Sequence, residues 1–180
     1  VNHILSNPDI FGNIKHTLIG GAQLSSDLSR RIVESGIQAY VSYGMTETCS
    51  HVALRKVEDS PEEIYEGMPD IYFSKDIRDC LIIRSDSRSF KELYTNDIVN
   101  LRDERHFSWK GRIDNVINSG GIKVYPEEIE LQLHRIMPAG MEFYITRQND
   151  EKWGEVPVIV ISREVKDMDK LLTDARNSVK

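Results

Sequence analysis

Cysteine is scarce in this chain. Cys49 and Cys80 are the only two among 180 residues and form no CxxC pair, so neither a disulfide scaffold nor a structural zinc site is suggested. The five histidines, His3, His16, His51, His106 and His134, are scattered, which argues against metal ligation through imidazole. Long apolar runs are also missing. Val156 to Ile161 is among the longest and contains a proline, far short of the roughly 20 residues a membrane helix needs. No basic-then-apolar leader opens the chain. Positive charge is not in excess either: 23 Lys and Arg face 29 Asp and Glu, a formal charge of -6 with the signs interspersed. That pattern gives no footprint for nucleic acid and leaves room only for a local cationic pocket. Neither the GxGxxG dinucleotide fingerprint nor the GxxxxGK[ST] phosphate loop occurs. The expectation is a globular cytoplasmic protein without membrane insertion or nucleic-acid partner.

What is present reads as α/β grammar. Ile14 to Ile19 forms a short apolar strand that stops at Gly20-Gly21. Ser25 or Ser26 then caps a helix whose Leu24, Leu28 and Ile32 recur every fourth residue, with Gly36 at its end and a second strand over Ile37 to Tyr43. Glu58 to Gly67 reads as a loop, and short strands are expected at Ile71 to Phe73, Cys80 to Arg84, Val99 to Leu101 and Arg105 to Trp109. Asn118 to Gly121 reads as a turn. Pro126 fits the first position of a helix carrying Ile129, Leu133 and Ile136, closed by Pro138 and Gly140. Strands at Glu142 to Arg147 and Val156 to Ile161 follow. A last helix from near Asp167 would bury Met168, Leu171, Leu172, Ala175 and Val179. The organisation expected is a fragment of a larger α/β region over 1–113, then a small α+β domain over 114–180.

Four stretches carry chemistry-bearing residues. Tyr43-Gly44-Met45-Thr46-Glu47-Thr48 directly follows a strand, and open α/β sheets bind ligands beyond the carboxyl ends of their strands. There Tyr43 could stack on a base, Thr46 donate to a phosphate, and Glu47 share a magnesium ion with phosphate oxygens; a polar loop with one core tyrosine is the alternative. Gly20-Gly21-Ala22-Gln23 also ends a strand, and its small residues let a ligand approach the main chain or simply make a turn. Tyr94-Thr95-Asn96-Asp97 reads as a turn whose aspartate accepts either from a ribose or from its own backbone. The run Gly111 to Glu130 is the densest: Arg112 is a fixed fork of donors, Asp114 stands at an element boundary where torsion could be absorbed, and Gly120-Gly121 is compact. Read alone, it also fits a surface salt bridge and a helix-entry loop.

Taken together and in this order, Tyr43 to Thr48, Tyr94 to Asp97 and Gly111 to Glu130 resemble the closing motifs of the adenylate-forming acyl-CoA synthetases. Within that family the first motif and Gly111 to Gly121 most resemble the ligases that act on o-succinylbenzoate in menaquinone synthesis. The resemblance implies ATP, Mg2+ and coenzyme A as cofactor and co-substrates, and a small carboxylic acid, o-succinylbenzoate in the narrower match. It implies that Gly20, Gly21 and Ala22 line the acyl-adenylate pocket, that Tyr43 lies against adenine, and that Gly44 belongs to the nucleotide site. Thr46 would contact the α-phosphate, Glu47 would hold magnesium, and Asp97 would grip the ribose with Arg112 nearby. Thr46, Glu47 and Arg112 would be the catalytic residues. Asp114 would be the hinge of a mobile domain whose Gly120 and Gly121 approach the nucleotide for thioester formation.

The departures are Asn96, where the family usually has glycine, and Gln23, where it often has proline; Tyr125 and Ile122 also differ from the narrower match. Asparagine tolerates left-handed backbone, so the expected turn could persist. The resemblance also implies that the phosphate loop lies upstream of this stretch and the adenylation lysine beyond Lys180, so this piece alone is expected to be inactive. Two other readings remain open from sequence: a module that loads a carrier-protein thiol, and a non-catalytic nucleotide-binding fragment.

Overall fold

The computed structural model describes residues 5–6, 13–21, 24–60, 62–134, 136–138, 140–163, 165 and 168–178. Two compact units divide the chain, Val1–Trp109 and Lys110–Lys180. Ala22, Asp167 and Val179, named above, lie outside the described residues.

In the first unit, β1 (His16–Ile19) pairs in parallel with β2 (Gln38–Gly44), with Ile19 opposite Val41. Parallel neighbours need a crossover, and α1 (Ser26–Ser35) supplies it. Its boundaries follow from side-chain chemistry. Ser25 Oγ accepts from the Leu28 N–H at 3.3 Å, and Gly36, at φ 73°, donates its N–H to the Val33 carbonyl. Leu24 and Ile32 are 3% and 2% exposed, each burial contributing about 1.5–3 kcal/mol against the sheet.

The sheet continues through β3 (His51–Lys56), β4 (Ile64–Gly67), β5 (Ile71–Lys75), β6 (Cys80–Ser85), β7 (Glu92–Leu101) and β8 (His106–Arg112), in the order β1-β2-β3-β4-β8-β7-β6-β5. Phe107 is fully buried at its centre. Its ring stacks on Tyr65 at 5.3 Å and meets Tyr43 and Phe73 edge-on at 5.2 and 4.8 Å. Tyr43 and Asp97 stand four strands apart in this order, yet the Tyr43 hydroxyl bonds Asp97. Four steps of a flat sheet would span roughly 19 Å, beyond the joint reach of the two side chains, so the sheet curls around the aromatic cluster.

Three sequence expectations are corrected here. The Glu58 to Gly67 loop ends in a strand, β4, whose inward Tyr65 and Gly67 alternate with outward Glu66. Gly67 is needed there because a Cβ would meet the Phe73 ring at 2.9 Å. Tyr94 to Asp97 is not a turn; it lies inside β7, where Cys80 opposes Ile98 while Ile82 opposes Tyr94, so β7 bulges across Thr95–Asp97. Asn96 accordingly has no left-handed backbone: among the described non-glycine residues positive φ falls on Cys49, Asp70 and Asp79.

The second unit holds the four-stranded sheet β10-β9-β12-β11, built from β9 (Ile117–Ser119), β10 (Ile122–Val124), β11 (Phe143–Asp150) and β12 (Gly154–Ile161), with α2 (Pro126–Leu133) and α3 (Met168–Ser178). Asn118 and Ser119 belong to β9, so the turn narrows to Gly120-Gly121, at φ 59° and 87°. Pro126 stands at the first turn of α2, and the helix ends at Leu133, leaving Ile136 beyond it. Ile117, Leu133 and Ile145 form the buried centre, with Ile129, Ile136 and Ala175 packed around it. Leu171 faces inward, but Met168, at the first position of α3, is 38% exposed rather than buried. No helix among the described residues is long and apolar enough to cross a membrane.

Candidate functional site

The carboxyl ends of β1 and β2 lie side by side, so Gly20-Gly21 and Tyr43 to Glu47 leave the sheet at the same rim. Ser42 Oγ donates to the Ile19 carbonyl at 3.2 Å, and a Cβ on Gly20 would stand 2.9 Å from that hydroxyl. Gly44 has a packing role of its own: a Cβ there would meet the Ser50 carbonyl oxygen at 2.5 Å and His51 Cα at 2.8 Å. The pairing of β2 with β3 shifts between Tyr43 and Gly44, which sends the chain into a single 3-10 turn, Thr46–Thr48. Buried Thr48 holds that turn, its hydroxyl accepting from the Met45 N–H at 3.0 Å and donating to the Ser50 carbonyl at 2.6 Å.

Thr46 and Glu47 are held outward on this turn, both exposed. Among the described residues no side-chain hydrogen-bond partner is found for either. A carboxylate presented this way suits magnesium, which keeps several waters and takes one or two carboxylates plus phosphate oxygens rather than an all-protein cage. No cluster of three or more potential metal ligands occurs among the described residues.

Asp97 is 7% exposed and is fixed at both ends. Its backbone N–H donates to Thr95 Oγ1 at 3.1 Å, while that hydroxyl donates to the Leu81 carbonyl at 2.9 Å. Its carboxylate accepts from the Tyr43 hydroxyl at 2.5 Å, a bond across 54 residues of sequence. The first unit therefore gathers Gly20, Gly21, Tyr43, Gly44, Thr46, Glu47 and Asp97 around one rim. Reading the sequence missed Thr95, Ser42 and Phe107 as supports; the apolar alternation through Phe107 and Trp109 was the available signal for the last.

Within the second unit, Arg112 pairs with Asp114 at 2.9 Å, both about half exposed. An exposed pair of this kind contributes little, about 0–1 kcal/mol, and its guanidinium can exchange partners. Asp114 sits in a single 3-10 turn, Ile113–Asn115, and its carbonyl accepts from Arg147 at 3.4 Å. Gly120 lies under Trp153, whose ring a Cβ would meet at 2.6 Å, and donates its N–H to the Trp153 carbonyl at 2.8 Å. Gly121 is exposed, with open space where a Cβ would be.

No family model matches the chain. It is 25% identical over 178 residues to the 2-succinylbenzoate--CoA ligase of Haemophilus influenzae, a match covering 89% of this chain and 38% of that protein. Among solved structures, an acyl-CoA synthetase (AMP-forming)/AMP-acid ligase II-like protein from Dyadobacter fermentans is 32% identical, with a TM-score of 0.58 over 99% of this chain and 53% of that one. The o-succinylbenzoate CoA synthetase of Bacillus subtilis, in complex with its acyl-adenylate intermediate, shares the fold with a TM-score of 0.74 at 23% identity, over 99% and 43% of the two chains. The chain spans 35–38% of the length of the curated relatives it matches.

Proposed function

We propose, on the premise that this chain belongs to the adenylate-forming acyl-CoA synthetase family, that it is the carboxyl-terminal portion of an AMP-forming ligase joining o-succinylbenzoate to coenzyme A. The observation that carries the reading is the Tyr43–Asp97 hydrogen bond, which joins an aromatic at the end of β2 to a buried carboxylate in β7. An aromatic face and a fixed acceptor on one rim suit a base and a ribose. The named ligases among the relatives supply the choice of acid.

A carboxylate is a poor acyl donor because its charge repels nucleophiles and oxide is a poor leaving group. Attack of the acid oxygen on the α-phosphorus of ATP expels pyrophosphate and gives an acyl-adenylate. The coenzyme A thiolate then attacks the carbonyl carbon and expels AMP. In this scheme Tyr43 walls the adenine, with Gly44 beside it, and Asp97 accepts from ribose hydroxyls. Thr46 donates to an α-phosphate oxygen, and Arg112 supplies a guanidinium fork for ribose and phosphate oxygens. Gly20, Gly21 and Ala22 leave room for the acyl group. Magnesium, which Glu47 would hold, neutralises phosphate charge when bound. Asp114 serves as the hinge between the two steps, and Gly120-Gly121 as the glycine surface for the thioester step. With ATP and coenzyme A as substrates the enzyme works in the cytoplasm.

The test is ATP–pyrophosphate exchange by the full-length protein with o-succinylbenzoate, benzoate and succinate. Exchange is expected with o-succinylbenzoate at the highest kcat/KM. Robust exchange with another acid and none with this one would reject the choice of acid; no exchange with any acid would reject acid activation.

A further inference from the structure

We propose that Tyr43 and Thr95 are positioning residues that hold Asp97 for its ribose, so that discrimination between ribose and deoxyribose nucleotides rests on these three side chains together. The inference rests on the nucleotide reading of Asp97 given above and assigns the Tyr43 and Thr95 hydroxyls a positioning task within it.

An aspartate in a regular strand would point to one face of the sheet with its carboxylate able to turn about its terminal bond. The bulge across Thr95–Asp97 changes the aim of the side chain, as bulges do beside binding sites. Thr95, 6% exposed, has one hydroxyl proton and gives it to the Leu81 carbonyl of the neighbouring strand, while the same oxygen accepts from the Asp97 N–H. That pins the main chain of Asp97 to β6. The Tyr43 hydroxyl then holds one carboxylate oxygen, Oδ2, at 2.5 Å through a charge-assisted bond. An ionised carboxylate has about four lone-pair sites, so the Tyr43 hydroxyl restrains its rotation while leaving it capacity to accept from a sugar.

Tyr43 cannot easily drift, because its ring is gripped edge-on by Phe107 at 5.2 Å and Tyr65 at 5.9 Å. The phenol thus becomes a rigid spacer between a ring face suited to a purine and a carboxylate suited to a sugar. A nucleoside whose base rests on Tyr43 meets the Asp97 acceptor at a preset distance. Loss of the hydroxyl leaves the ring and its packing intact while removing this restraint on Oδ2. The chemistry selected is an adenine nucleoside phosphate with ribose hydroxyls.

The experiment measures dissociation constants of AMP, 2′-deoxy-AMP and 3′-deoxy-AMP by calorimetry, using the full-length protein and its Tyr43→Phe, Thr95→Val, Thr95→Ser and Asp97→Ala variants. The parent should favour AMP over at least one deoxy form by about tenfold or more, the size of one hydrogen bond to a charged group. Tyr43→Phe and Thr95→Val should each shrink that preference to within about threefold, and Thr95→Ser should restore it. A general loss of packing would weaken all three ligands equally and leave the ratio unchanged, which overturns the proposal. If Asp97→Ala abolishes the preference and Tyr43→Phe keeps it, the positioning role falls while the ribose reading stands. If Asp97→Ala keeps the preference, both fall. Should Tyr43→Phe fail to fold, the Thr95 pair decides: loss with valine and recovery with serine supports the proposal, and an unchanged ratio with valine rejects it.

Discussion

Gly44 passes so close to Ser50 that a methyl group on its Cα would stand 2.5 Å from the Ser50 carbonyl oxygen. The obstacle is backbone on a strand entry, which cannot swing aside as a side-chain tip could. Gly44→Ala should therefore cost about 1–3 kcal/mol of stability and displace the Thr46–Glu47 turn. Adenylation should fall on the order of a hundredfold, as misplacements near 1 Å do. Thermal unfolding and pyrophosphate exchange on the full-length variant check both parts.

Arg105, between β7 and β8, ties down the segment that joins β4 to β5. Its guanidinium donates to the carbonyls of Gly67, Met68 and Ile71, the last two at 3.0 and 2.5 Å, and stacks on Tyr72. Lysine has charge and length but no planar fork. Arg105→Lys should destabilise the protein by about 1–3 kcal/mol, read as a lower urea midpoint with an unchanged slope. Equal midpoints would mean the three carbonyls find water instead.

In the second unit, Trp153 covers Gly120, which also sits at φ 59°. Gly120→Ala meets both obstacles and should cost about 2–4 kcal/mol. Adding Trp153→Ala to it should recover the steric part and leave about 1–2 kcal/mol of backbone strain. Gly121→Ala, with open space around it, should cost only the backbone share. Denaturation of the three variants separates sterics from torsion.

Burial pushes the Glu130 carboxyl above the usual glutamate range, and Glu127 adds to this, while the Ile145 N–H it accepts at 2.6 Å and His134 pull it back. A raised folded value means the folded state holds the proton more tightly than the unfolded chain. The resulting stability is complete below the ordinary glutamate value of about 4.3 and is lost as pH rises through the folded value. Glu130→Gln, which keeps an acceptor without the charge, should flatten the stability profile between pH 4 and pH 7 by about the lost contribution of one proton. Parallel profiles for parent and variant would contradict this.

Much of the frame was legible because local chemistry and global packing agree there. Ser25, Gly36 and Pro126 mark helix ends by capping and by fixed torsions, and the stripe through Leu24, Leu28 and Ile32 faces the core. β3 escaped because its alternation is masked by a charge: Arg55, 5% exposed, lies inside the sheet with Glu63 at 3.1 Å and the Tyr65 ring beside it. Val99 to Leu101, the end of β7, is legible as strand, but Tyr94 to Asp97 reads as a turn because threonine, asparagine and aspartate favour turns, whereas pairing with β6 and β8 overrides that local preference. The strand-end stretches at Gly20-Gly21 and Tyr43 to Glu47 followed from α/β grammar. The Tyr43–Asp97 bond did not, since it depends on a sheet curl that no local pattern encodes.

An acid-activating nucleotide site at this rim requires that AMP and thioester be formed together. Full-length protein incubated with ATP, Mg2+, coenzyme A and o-succinylbenzoate should yield AMP and the o-succinylbenzoyl thioester in equal amounts by mass spectrometry. Glu47→Gln, Asp97→Asn and Arg112→Ala should each lower kcat/KM by about tenfold or more. Release of ADP in place of AMP, or AMP without thioester, would contradict the account, as would full activity in all three variants.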